Sequence, residues 1–126
     1  MRRGVNGRAK GSAGEREFCH WLQDTFKLDA LPERNLDQTR DGGADVLDMF
    51  PFVYEVKRVE RLDLDTWWLQ VLKAARELGE DRIPVVAFRQ NNQQWEFLIS
   101  AKNIGIQHGY VRAKALRFQQ WVEMQT

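Results

Sequence analysis

The segment Phe52–Val59 constrains the fold more than any other part of this 126-residue chain. Successive side chains of a β-strand point to opposite faces, and both faces of this segment carry large apolar residues. One face holds Phe52 and Tyr54, and the other holds Val53 and Val59. Because such a strand has to be covered on both sides, the sequence predicts a central strand between two packed layers.

The first helix has a clear start. Ser12 and Glu15 have the spacing of a capping box, and apolar residues then recur at helical spacing to about Lys27. Residues 1–11 are basic and rich in glycine. We therefore expect a flexible basic arm followed by a single domain over residues 12–126.

The other elements follow from periodicity, turn residues and helix-end residues. Along the chain we expect a weak strand or loop at Leu31–Arg40, a strand at Ala44–Phe50, the strand at Phe52–Val59, a helix from Asp63 or Asp65 to about Leu78, strands at Pro84–Arg89 and Gln94–Ser100, and a helix from Arg112 to about Met124. The order α-β-β-β-α-β-β-α indicates an α/β domain with a central mixed sheet flanked by helices.

Charge is balanced overall but divided along the chain. The formal net charge is +1, yet residues 29–65 hold 10 acidic and 5 basic groups, between two segments that are each net basic. This division suits a protein that holds a metal ion and also meets a polyanion. Many solvated surfaces have a similar pattern, so charge alone decides little.

Several classes of protein are excluded by composition. Cys19 is the only cysteine, so an internal disulfide and the usual Cys/His zinc site are not expected, and a reducing cytoplasm is the expected compartment. No apolar run approaches the roughly 18 residues of a membrane helix. No apolar stretch follows Arg2 and Arg3, so a signal peptide is not expected either.

Glu55 and Lys57 lie two positions apart in the predicted strand and therefore share one of its faces. Burying a carboxylate and an ammonium is unfavourable unless the two groups are paired or used chemically. A simple ion pair on a half-exposed face is one interpretation, and a catalytic pair is the other.

Asp45 favours the catalytic interpretation. If Ala44–Phe50 and Phe52–Val59 form a hairpin, Asp45 lies opposite Glu55, with Cβ atoms about 5 Å apart. Two carboxylates so close repel each other unless a divalent cation lies between them, and Mg²⁺ is commonly held by one or two carboxylates. Asp41 and Asp48 fit this pairing less well.

These residues resemble a known signature. Asp45 and the run Glu55-Val56-Lys57 resemble the motif of PD-(D/E)xK nucleases, although Ala44 stands where that motif has proline. The run Lys10-Gly11-Ser12-Ala13-Gly14-Glu15-Arg16 resembles the first helix of archaeal-type Holliday-junction resolvases. The segment with Arg34, Asn35, Gln38, Arg40, Gly42, Gly43 and Asp45 resembles short phage and prophage endonucleases.

The resemblance implies a restriction-endonuclease-like core and a set of roles. Asp45, Glu55 and the backbone carbonyl of Val56 would be metal ligands, with Mg²⁺ as the cofactor and Mn²⁺ as a substitute. Lys57 would be the catalytic lysine. Glu15 would act at the metal site, although a capping role also explains it, and Gln70 would support the site unless it is merely solvated.

DNA contacts are expected from basic and polar residues around the first helix and before the catalytic strand: Arg8, Lys10, Arg16, Arg34, Gln38 and Arg40. Arg58 faces away from Glu55 and is not expected in the site. Trp21, Trp68 and Trp121 are expected in the core. Trp67 lies off the apolar stripe of its helix, which suggests a dimer interface or the DNA surface.

The resemblance implies a Mg²⁺-dependent endonuclease that cuts branched DNA, in particular a Holliday junction, as a homodimer in the cytoplasm of a cell or of a phage host. A nuclease of the same fold acting on flaps or duplex ends is one alternative. A DNA-binding protein without catalysis is another, and it would bind DNA tightly without cutting it.

Overall fold

The computed structural model describes residues 3–36, 44–102 and 109–125, with side chains from residue 13 onward. Its elements follow one another as α1 (Arg3–Phe26), β1 (Phe52–Arg58), α2 (Leu64–Leu78), β2 (Ile83–Arg89), β3 (Glu96–Ser100), β4 (Tyr110–Lys114) and α3 (Ala115–Gln125). None of the helices in these ranges is long and apolar enough to cross a membrane.

The four strands form one mixed sheet in the order β1-β2-β3-β4. Strands β1 and β2 are parallel, with Glu55 beside Val86, whereas β3 is antiparallel to both of its neighbours. Helix α2 provides the crossover between the two parallel strands, as parallel pairing requires. The predicted α/β class, with a mixed sheet flanked by helices as in a restriction-endonuclease-like core, is confirmed.

Helices cover the two faces of the sheet. On one face, Phe18 of α1 and Phe118 of α3 pack with Tyr54 and Phe97 in an aromatic core, and the rings of Phe97 and Phe118 stack with centroids 3.8 Å apart. The opposite face is covered by α2, whose buried side chains pack against strand residues of which Val53 is one. These two layers fix the orientation of β1, which carries the predicted site.

Strand β1 matches its predicted range closely, but its position in the sheet was predicted wrongly. It lies at one edge of the sheet rather than at the centre. The apolar pattern was nevertheless informative, since Phe52, Val53, Tyr54 and Val56 are all buried. Burial on both faces shows that a strand is covered above and below, and says nothing about what lies beside it.

The expected strand at Ala44–Phe50 is not formed. Within the described residues this segment has only an isolated antiparallel bridge, between Val46 and Arg34. Asp48 has a positive φ of 58°, and the chain turns at Phe50 and Pro51. These conformations are incompatible with a continuous extended strand, so the predicted hairpin is wrong. The predicted strand or loop at Leu31–Arg40 is loop where it is described.

Helix α1 begins at Arg3, so the predicted start at Ser12 is wrong. Ser12 lies inside the helix and does not cap it. Glycines weaken a helix by about 1 kcal/mol each relative to alanine, but without a proline the helix continues through them. The division into an arm (residues 1–11) and a domain stays a prediction.

The carboxyl-terminal part of the chain was also partly mispredicted. Strand β4 was missed, and its residues 112–114 were assigned to the last helix, which begins at Ala115. In that helix Phe118 is fully buried, as Trp121 nearly is, whereas Leu116 is 67% exposed. The short strand is hard to recognise because Ala113 is its only buried residue.

The tryptophans serve mainly as core residues. Trp68 and Trp121 are buried, and Trp21 packs against the aromatic core, as expected. Trp67 is 6% exposed and contacts the ring of Phe88, so its expected place at a dimer interface or DNA surface is wrong.

Candidate active site

Strand β1 presents Glu55 and Lys57 on the face that α2 covers. The period of two puts them on the side of Val53 and opposite Tyr54 and Val56. The Nζ atom of Lys57 lies 3.6 Å from Oε1 of Glu55, and their side chains are 23% and 16% exposed. The predicted carboxylate–ammonium pair is therefore formed at a partly covered position of the sheet.

Asp45 lies against the free edge of β1. Its backbone N–H donates to the carbonyl of Tyr54 at 2.9 Å, and its Oδ2 accepts a hydrogen bond from the backbone N–H of Val56 at 2.7 Å. Both partners flank Glu55, so Asp45 is held beside it. The expected proximity of the two carboxylates is correct, although an isolated segment produces it rather than a hairpin.

Asn35 holds the Asp45 segment in place. Its backbone N–H donates to the carbonyl of Asp45, and its side-chain Nδ2 donates to the carbonyl of Ala44, both at 2.9 Å. The backbone N–H of Leu47 in turn donates to the carbonyl of Glu33 at 2.8 Å. Asp45 itself is 6% exposed. Among the residues that the structure describes, it is the only charged residue that is buried. Buried polar groups need such partners.

The carboxylates around Glu55 give the site its electrostatic character. Burial is the main cause that raises the pKa of Glu55 to about 7; the negative charges of Asp45 and Glu15 act in the same direction and Lys57 opposes them. An acid whose pKa is held near neutrality by burial and by neighbouring carboxylates is typical of functional sites. The same crowding favours a bound cation.

Glu15 acts on Glu55 from helix α1, which packs on the other face of β1. A close approach of the two backbones makes this possible: a Cβ atom added at Gly14 would lie 2.5 Å from Cβ of Arg58. Only glycine fits such a contact. Because Ser12 is not the start of the helix, the capping explanation for Glu15 no longer applies.

Arg58 supports this packing from the face opposite Glu55, as predicted. Its Nε lies 3.4 Å from Oε1 of Glu17, and Nη1 of Arg89 donates to the same oxygen at 3.0 Å. Its own Nη1 donates to Oδ1 of Asn91 at 2.7 Å. The contacts of Gly14 and Glu17 with Arg58 were not predicted, because Arg58 lies more than 40 positions away along the chain.

The other predicted site residues are less closely grouped. Gln70 lies on the exposed side of α2, and Arg16 is exposed on α1. Arg34 is half-buried and forms the bridge to Val46. Gln38, Arg40 and the competing Asp41 lie outside the described residues, as do the side chains of Arg8 and Lys10. Their roles stay predictions.

The described side chains limit which metal ion the site could hold. Within residues 3–36, 44–102 and 109–125, no group of three His, Cys, Asp or Glu side chains forms a metal-binding cluster. Two carboxylates, Asp45 and Glu55, do lie together. Such a pair fits Mg²⁺, which usually keeps several waters and takes only one or two carboxylates from the protein. It does not fit a zinc site closed by four protein ligands.

The chain was then compared with known proteins. A family model described as "Phage putative PDDEXK endonuclease" matches residues 6–122. This range includes Glu15, Asp45, Glu55 and Lys57, and the match confirms the expected superfamily. No curated protein and no solved structure matches the chain.

Proposed function

We propose, because the chain belongs to the phage PDDEXK endonuclease family, that it is a metal-dependent endonuclease that hydrolyses phosphodiester bonds in DNA. The observation that carries the proposal is the juxtaposition of Asp45 and Glu55 at the edge of β1, with Lys57 at 3.6 Å from Glu55. A nuclease of this family requires these three residue types together, and the fold provides them from two segments.

Mg²⁺ is the proposed cofactor, with Mn²⁺ as a substitute. Asp45 and Glu55 would hold it, together with the backbone carbonyl of Val56. In an extended strand the N–H and C=O of one residue point to the same edge. Because the N–H of Val56 donates to Asp45, its carbonyl is expected at that edge as well. When bound, the ion supplies Lewis acidity at the phosphoryl oxygen and lowers the pKa of a bound water.

Lys57 has a separate role in the proposal. Its ammonium group donates hydrogen bonds on the face that carries Glu55 and stabilises negative charge on the phosphate oxygens as hydrolysis proceeds. Glu15 accepts a hydrogen bond from water near the same carboxylates. Gln70, on the exposed side of α2, would contact the substrate rather than the metal.

The preferred substrate is proposed to be branched DNA, in particular a Holliday junction. The resemblance of Lys10–Arg16 to the first helix of archaeal-type resolvases supports this choice. A four-way junction has two-fold symmetry and needs paired cuts, so the proposal includes a homodimer. Arg16 and Arg34 would contact the phosphate backbone, in the cytoplasm of a phage host.

One incubation tests activity and substrate together. Purified protein is mixed with labelled junction, flap and linear duplex DNA of matched sequence, with Mg²⁺, with Mn²⁺, with Ca²⁺ and without metal. We expect junction cleavage with Mg²⁺ or Mn²⁺ only, and none by the E55A variant. Equal cleavage of junction and linear duplex would overturn the resolvase assignment and leave the nuclease. Tight binding without cleavage in Mg²⁺ or Mn²⁺ would favour the non-catalytic DNA-binding alternative.

A further inference from the structure

A cavity of about 360 Å³ lies between α1 and the segment that follows it. Cavities that hold small ligands start at about this size. Side chains of helix α1 form one wall of the cavity, and side chains of the segment Leu31–Leu36 form the opposite wall. The lining residues that matter here are Arg16, Cys19, His20, Leu31, Arg34 and Leu36.

The cavity adjoins the candidate active site on both of its elements. Arg16 directly follows Glu15 along α1. On the other side Arg34 forms a bridge with Val46, which directly follows Asp45. The cavity wall therefore contains the neighbour of Glu15 along α1 and, on the other side, the bridge partner of the residue that follows Asp45.

The wall of the cavity is partly apolar and open to solvent. Leu31 is 43% exposed and Leu36 is 80% exposed. Exposed apolar side chains that gather at one cavity are typical of ligand or partner sites. Burial raises the pKa of the Cys19 thiol, so this side chain stays neutral and adds to the apolar wall.

The rim of the cavity is basic and can donate hydrogen bonds. Arg16 and Arg34 lie on opposite walls and His20 lies beside them, with Glu33 as the acidic residue of the lining. Guanidinium groups bind phosphate with paired hydrogen bonds. A ligand that fits this lining has an apolar part, hydrogen-bonding groups and a phosphate, and a nucleotide combines all three.

We propose that this cavity receives one unstacked nucleotide of the DNA strand, next to the phosphodiester bond that is cut. The proposal rests on the proposed nuclease function and adds to it a preference for DNA with an unpaired nucleotide. Taking a base out of a duplex costs a few kcal/mol, and least where the base is already unpaired. DNA with an unpaired nucleotide at a branch or bulge is therefore cut faster than perfect duplex.

Nucleotide binding is tested without metal and without cleavage. Amide shifts of the protein in EDTA are followed by NMR during titration with dAMP, deoxyadenosine or inorganic phosphate. We expect dAMP to shift the amides of Cys19, His20 and Arg34, with an affinity at least about tenfold higher than that of phosphate. Equal affinities for dAMP and phosphate would show that the cavity binds only the anion, which would contradict the proposal. No shifts with dAMP would overturn the proposal.

A matched pair of leucine variants locates the site. Leu36 and Leu69 are both exposed, at 80% and 67%, but Leu69 lies on α2 and does not line the cavity. We expect L36A to weaken dAMP binding about fivefold through lost apolar contact, and L69A to leave it unchanged. An equal loss in both variants, or in neither, would contradict the assignment.

Cleavage assays separate this inference from the proposed function. For wild-type protein we expect a duplex with a one-nucleotide bulge to be cut faster than the matched perfect duplex, and L36A to reduce that ratio. If the protein cuts DNA but dAMP does not bind, the nucleotide cavity is wrong and the nuclease stands. If dAMP binds but no DNA is cut, the nuclease is wrong and the nucleotide site stands.

Discussion

Glu55 and Glu96 lie on the same face of the sheet, but the pKa values of their carboxyl groups are shifted in opposite directions. The register places Lys57 beside Phe88 and Phe88 beside Glu96, so all three side chains share a face. The exposed fractions of the two glutamate side chains are nearly equal, 16% and 19%. Yet the pKa of Glu55 is raised to about 7, whereas that of Glu96 is lowered.

Burial and neighbouring charges together explain this difference. Burial raises the pKa at both positions and is the main cause at Glu55, where the charges of Asp45 and Glu15 add to it. At Glu96 the guanidinium of Arg112, which donates two hydrogen bonds at 2.7 and 2.9 Å, overrides burial. A glutamate becomes a candidate ligand when it is buried beside other carboxylates, and a structural residue when a cation satisfies it.

The largest effect is expected from E55Q. The pKa of Glu55 is raised, so ionising Glu55 in the folded state above pH 7 destabilises the protein, and this cost is absent below the pKa of the unfolded chain. Glutamine stays neutral. At pH 8 in EDTA, E55Q should raise the free energy of unfolding by about 1–3 kcal/mol, measured by urea denaturation.

The pH dependence provides the control for E55Q. At pH 4 Glu55 is protonated in the wild-type protein, so the gain should disappear. A loss of stability at pH 8 would mean that Glu55 and Lys57 form an ordinary stabilising ion pair. The contrast between Glu55 and Glu96 would then be wrong.

An intermediate effect is expected from G14A. Helix propensity alone predicts that alanine stabilises α1 by about 1 kcal/mol, but its Cβ would meet Cβ of Arg58 at 2.5 Å. Overpacking of this kind costs about 1–3 kcal/mol. We expect a net loss of stability, and a lower pKa of Glu55 by carboxyl NMR because Glu15 moves away. A stabilised variant with an unchanged pKa of Glu55 would show that the close approach is not needed.

The smallest effect is expected from E96Q. The pKa of Glu96 is lowered, so its ion pair with Arg112 stabilises the protein above the unfolded pKa, and this stability is lost as the pH falls through the folded pKa. Arg112 is 43% exposed, so screening limits the loss at pH 7 to about 0.5–1 kcal/mol. Urea denaturation at pH 7 and pH 3 measures it. An equal loss at both pH values would exclude an ionic origin.

The fold could be predicted where local patterns decide it. The apolar alternation of β1 and the amphipathic helix before Gly79 gave nearly correct boundaries. Strand β4 could not be recognised, because it exists through pairing with β3 and buries only Ala113. Ser12 misled the prediction because a capping-box pattern also occurs inside a helix that starts earlier.

The proximity of the two site carboxylates could be predicted from the sequence, whereas the tertiary contacts around them could not. The carboxylate positions Asp45 and Glu55 follow from spacing and charge, and any arrangement that brings them together satisfies that argument. The packing of Gly14 on Arg58 and the ion pair of Arg58 with Glu17 depend on tertiary contacts between distant segments. No pattern within either segment indicates them.

The most direct test of the central claim is the rate of Mg²⁺-dependent DNA cleavage by wild-type protein, E55Q and E96Q. Both variants replace a glutamate on the same face of the sheet, so they are matched for chemistry. We predict that E55Q loses about 10³-fold in rate while it remains folded, and that E96Q cuts like wild type. Equal rates for E55Q and wild type, or an equal loss in E96Q, would contradict the assignment of Glu55 as a metal ligand.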